Sequence, residues 1–194
     1  MDHSSNHSDA GNSYWRFMAM VATSTAIMFG LMYFNTFELD HVFWSETRFW
    51  MMFVMGGTMM IVMLLFMWGM YRDRTKKMII LLVAALVFAV SVWLVRSQAT
   101  VDDEEYMSAM IPHHSIAIMT SARANISDPR VRELADSIIA AQVKEIAEMK
   151  LLLEDIKKNG KLGDGTPLPA RTTEMTPVLK QEAQAAASRS APTP

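Results

Sequence analysis

The chain has 194 residues, a formal charge of −2 and no cysteine, and 51% of it is hydrophobic. Near-neutral charge gives no electrostatic case for nucleic acid. The lack of cysteine excludes a disulfide framework, a cysteine-based zinc site and a thiol nucleophile, while the 19 methionines need an account.

Residues 1–14 (MDHSSNHSDAGNSY) are polar, and composition predicts a disordered N-terminus without the basic start of a cleaved signal peptide. His3 is third in the chain. With a free amine at Met1, it could complete a square plane for Cu(II), although a tail histidine without a role is the simpler reading.

A transmembrane region is expected over 15–97, as three spans at 17–37, 49–71 and 78–95. Each is apolar over close to the ~20 residues that a bilayer takes. Tyr14, Trp15, Trp44, Trp50, Trp68, Tyr71 and Trp93 mark several ends, where aromatic rings favour the headgroup level. Arg72, Arg74, Lys76 and Lys77 between the second and third spans place that loop in the cytoplasm. Glu38, Asp40 and Glu46 place the first loop outside. The N-terminus is then cytoplasmic and everything after Arg96 is outside. Eight methionines crowd 51–70 in the second span. Met52, Met55, Met59 and Met63 share a face with Gly56, as a thioether track for Cu(I) or, more simply, as packing.

Beyond the spans, 100–159 is predicted to be a helical hairpin. Asp102, Asp103, Glu104 and Glu105 suit a first helical turn, where the macrodipole favours acids. The stretch 106–119 (YMSAMIPHHSIAIM) follows. At about 100° per residue, Met107, Met110, His113 and His114 fall on one stripe, with Met119 opposite. Pro112 lacks an N–H and crowds the preceding turn, so a bend or restart is expected there. Thioether sulfur selects Cu(I) and imidazole suits copper and zinc, so this stripe is a candidate metal site. Methionine as core filler beside a satisfied histidine is the bland alternative. A second helix should start at Ser127-Asp128-Pro129 and stop at Asn159-Gly160. It carries Gln142, Glu145 and Met149 on one side. Residues 160–194 read as a disordered tail in which Thr176-Pro177 could cap a short helix through Ala187.

The M-I-P-H-H sequence with the following A-x-M, and Q-x-x-E-I-x-x-M about thirty residues later, resembles domain-of-unknown-function family 305 over about 102–158. Members resemble ferritin-like helical bundles, and some are periplasmic copper-binding proteins. The resemblance implies a bacterial source and metal ligands at Met110, His113, His114, Met119 and Met149; Met107 is a further candidate from the stripe.

The expected architecture is therefore all-α, with three transmembrane helices followed by an extracytoplasmic ferritin-like hairpin that two chains would complete as a four-helix bundle. No enzymatic activity is expected, because the hairpin helices lack the Glu-x-x-His of di-iron bundles, and H-E-x-x-H, a P-loop and G-x-S-x-G are missing from the chain. The expected function is a multi-pass protein of a bacterial inner membrane that buffers, stores or delivers Cu(I) at the periplasmic face. Its expected partners are copper ion, the lipid bilayer, a second copy of the chain and a copper exporter or chaperone. The alternative is a membrane-anchored structural or interaction module that uses methionine as an adaptable apolar surface.

Overall fold

Local chemistry sets most of the helix ends. Ser45 Oγ accepts from the Arg48 amide and starts α2 (Glu46–Phe66). Asp73 does the same for α3 (Arg74–Ser97), which ends at Gln98 in the left-handed conformation (φ 53°). Asp128 and Pro129 start α5 (Pro129–Asn159), and Gly160 at φ 84° ends it. Thr176 and Pro177 start α6 (Pro177–Ala187). With α1 (Ser5–Leu31), α4 (Asp103–Arg123) and a 3-10 turn at Leu39–His41, these make an all-α chain. The computed structural model describes residues 5–170 and 172–188, so His3 and the last six residues lie outside the described part.

The chain forms two units. The first holds the residues up to Asn35 and Val42–Ala109, and so contains α1, α2 and α3. Its core is Tyr14, Phe17, Val21, Leu64 and Tyr71, with Met59, Met60, Met63 and Met67 packed against it. Tyr14 and Tyr71 rings lie 4.7 Å apart, and the Tyr14 hydroxyl donates to the Asp73 carbonyl at 3.2 Å. Glycine lets the helices close up. A Cβ on Gly56 would stand 2.9 Å from Thr25 Oγ1, and one on Gly57 would stand 3.1 Å from the Ala84 carbonyl oxygen. Both glycines are therefore used between helices of one chain. Met59 and Met63 of the methionine face serve the same core, which favours packing over a copper track.

Both α2 and α3 are long and apolar enough to cross a membrane. The first expected span needs correction. Its helix begins at Ser5 and ends at Leu31, and residues 32–35 form turns. The polar residues from Ser5 to Tyr14 are thus helical rather than disordered. The apolar run misleads because Tyr33 serves the turn. Arg48 stacks on its ring at 4.6 Å and donates to the Met32 carbonyl at 3.1 Å, satisfying a helix-end acceptor. The second helix likewise stops at Phe66, five residues short of the apolar run.

The second unit holds Thr36–His41 and the chain from Met110 onward. Residues 110–123 of α4 bury Ile111, Pro112, His114, Ser115 and Ile118, and α5 buries Ala135, Ile146, Met149 and Leu153. The helix does not restart at Pro112, and α4 is helical from Asp103 to Arg123. The proline ring is fully buried, and that packing compensates for one lost backbone hydrogen bond. The segment Thr36–His41 lies on this hairpin. Phe37 donates its amide to Ser115 Oγ at 2.7 Å and receives Arg123 over its ring at 5.6 Å. Part of the apolar face expected to need a second chain is thus covered by the chain itself. In the tail, α6 is the short helix expected from Thr176-Pro177 through Ala187, and it occupies eleven residues.

Candidate metal centre

The two adjacent histidines face different surroundings, because a helix turns about 100° between them. His114 falls on the buried stripe and is 9% exposed, while His113 is exposed, and their ring centroids are 6.1 Å apart. His114 reaches across the hairpin. Its Nε2 lies 2.8 Å from Glu145 Oε2, and its Nδ1 lies 2.8 Å from the Met110 carbonyl oxygen. Both partners accept only, so the two contacts are satisfied together only when both ring nitrogens carry hydrogen. A metal at His114 must therefore displace one of them.

Met110 precedes His114 by one turn on α4, and Met149 follows Glu145 by one turn on α5. Met149 is buried, and Met110 and Met119 are half-buried. Met107 is buried but belongs to the first unit, whereas the other candidate ligands belong to the second. Gln142 Nε2 donates to Glu145 Oε2 at 3.5 Å, so Gln142 and Glu145 form one polar edge beside His114.

Sequence reasoning missed a second cluster. Among the described residues, Glu38, Asp40 and His41 bring a carboxylate oxygen, a carboxylate oxygen and an imidazole nitrogen within 4.8 Å of one another. His41 Nε2 lies 3.9 Å from Glu38 Oε2 and 3.7 Å from Asp40 Oδ1. Its Nδ1 lies 3.0 Å from Ser115 Oγ. Lys150 Nζ donates to Asp40 Oδ2 at 2.6 Å, and this hydrogen bond, with the ammonium charge, holds the Asp40 carboxyl below its ordinary range. The signal was E-L-D-H in a short loop, but its acids were used only to orient the membrane spans.

The model of the Domain of unknown function (DUF305) matches residues 103–193. The chain is also 36% identical over 116 residues to "Uncharacterized protein L153" of Acanthamoeba polyphaga mimivirus, covering 59% of this chain and 74% of that protein. The chain belongs to the DUF305 family. The matched region starts with α4 and extends beyond the expected 158, through α5 and α6. The helices α1 to α3 lie outside the DUF305 region, and so does the Glu38, Asp40 and His41 cluster. No solved structure matches the chain.

Proposed function

We propose that this DUF305 protein is a membrane-anchored copper-binding protein that buffers, stores or delivers Cu(I) at the extracytoplasmic face. The observation that carries this reading is the bridge from His114 to Glu145, one turn from Met110 on one helix and one turn from Met149 on the other. It supports a site shared between facing helices, with soft thioethers for Cu(I) and imidazoles beside them. His113, His114, Met110 and Met149 would hold the ion. Met119 is a secondary candidate, and Met107 is the weaker one because it belongs to the other unit.

Copper is cargo in this reading, not a group used for catalysis. Binding at His114 expels Glu145 from Nε2 or the Met110 carbonyl from Nδ1. Exposed His113 offers a first landing point for the ion.

The anchoring reading rests on α2 and α3. Thr36–His41 precedes α2 and the hairpin follows α3, yet both belong to one packed unit. That fits a membrane hairpin returning the chain to the face from which it entered. A second copy of the chain remains the proposed partner for the apolar residues that α5 exposes, such as Leu134, Val143, Leu151 and Leu152. Metal analysis of the full chain purified from copper-fed cells tests the function. Copper near one equivalent per chain is expected, and protein free of copper would contradict it, leaving the interaction-module reading.

A further inference from the structure

Three donors outside the thioether and imidazole set converge in the loop before α2. His41 is 7% exposed, so its imidazole has been taken out of water. The ring is anchored on one side only, where Nδ1 meets Ser115 Oγ at 3.0 Å. Ser115 is fully buried, and its oxygen also accepts from the Phe37 amide at 2.7 Å. A hydroxyl oxygen has two lone pairs and can accept from both Phe37 N–H and His41 Nδ1–H. In that tautomer Nε2 keeps its lone pair, and two carboxylate oxygens lie 3.7 and 3.9 Å from it, beyond hydrogen-bond reach. A lone pair and two anionic oxygens facing one another are stabilised by a cation between them.

The surroundings match what metal sites need. Ligating histidines use the other ring nitrogen to fix their orientation, which Ser115 does here. Lys150 holds Asp40 Oδ2 at 2.6 Å and leaves Oδ1 toward the imidazole. Glu38 and Asp40 are exposed, which provides an entry path. A cavity of about 120 Å³, lined by Phe37, Glu38, His41, Ile118, Val143 and Ile146, gives room beside the donors. A tetrahedral ion with bonds of about 2.1 Å sets its donors about 3.4 Å apart, close to the two imidazole–carboxylate distances of 3.7 and 3.9 Å, and all three donor atoms lie within 4.8 Å of one another.

We propose that Glu38, Asp40 and His41 form a second metal site for a divalent cation of the zinc type, fastened to the hairpin by Ser115 and Lys150. One nitrogen and two oxygen donors with no sulfur select borderline divalent ions over Cu(I). The site is separate from the copper reading and stands without it. The two are nonetheless anchored at neighbouring positions, Ser115 beside His114 on α4 and Lys150 beside Met149 on α5.

Titration of the full chain in detergent with Co(II) as a spectroscopic probe, followed by displacement with Zn(II), tests the proposal. The parent should bind one equivalent of Co(II) that Zn(II) displaces. Glu38→Gln changes an exposed side chain without removing a core group, and should weaken binding at least tenfold. Ser115→Ala should cost about ten- to a hundredfold, as loss of an orienting group does. The His113→Ala, His114→Ala variant should keep this equivalent. Circular dichroism confirms the helices of each variant. Co(II) bound equally by the parent and Glu38→Gln, no Co(II) bound by the parent, or the equivalent lost only in the double histidine variant would each overturn the assignment.

Discussion

At the scale of single residues, the account turns on His114 having two acceptors where a metal ligand needs a free nitrogen. Glu145 is the competitor at Nε2, and its side chain is 48% exposed. Solvent screening limits such a contact to about 1 kcal/mol or less, which corresponds to at most about fivefold in affinity. Glu145→Gln should therefore raise Cu(I) affinity by roughly two- to fivefold at neutral pH, measured by chelator competition. A weaker site in this variant would show that Glu145 assists binding instead of opposing it. The candidate ligands were readable in the sequence because M-I-P-H-H and the distal glutamate and methionine carry their chemistry in the side chains. Their inequality was not readable, since the wheel placed both histidines near one stripe and only packing decides that His114 goes in and His113 stays out. His41 was hidden for another reason. Its role depends on Ser115, 74 positions away, and no local pattern encodes that contact.

At the scale of elements, close helix approach and capping carry the testable content. Gly57→Ala puts a methyl 3.1 Å from the Ala84 carbonyl, a backbone atom that cannot swing aside. Overpacking of this kind costs about 1–3 kcal/mol, against a gain of about 1 kcal/mol in helix propensity. A net loss of up to about 2 kcal/mol is expected by unfolding in mixed micelles, while Gly30→Ala, with nothing within 4 Å, should be neutral or stabilising. Equal stabilities would mean that α2 and α3 do not approach so closely. For α5, hydrogen bonds from the Arg130 side chain and amide to Asp128 lower its pKa to about 2. A carboxyl depressed on folding contributes stability that is full above its unfolded pKa, about 3.9, and is lost as pH falls toward 2. The Arg130 amide resonance should titrate with a midpoint near 2, and a midpoint near 4 would contradict the cap. Helix existence and most ends were legible from caps, Pro129 and Gly160. The end of α1 was not, because Tyr33 counts as apolar in a hydropathy run but here serves a turn held by Arg48. The helix runs through Pro112 without a restart, because the buried ring compensates for one missing hydrogen bond.

At the scale of the whole molecule, the all-α class and the division into an apolar region and a polar hairpin were legible from composition. The partnership of Thr36–His41 with the hairpin was not, since it joins segments separated by two long helices. That partnership bears on topology. A reporter active only outside the cytoplasm should be active when fused after Lys158 and silent when fused between α2 and α3, and the reverse pattern would move the hairpin to the cytoplasm. The central claim is that the histidine pair holds Cu(I), and competition of the full chain against a Cu(I) chelator at neutral pH tests it most directly. The His113→Ala, His114→Ala variant should keep its helix content and lose at least tenfold in Cu(I) affinity; a variant that holds Cu(I) as tightly as the parent would contradict the copper reading.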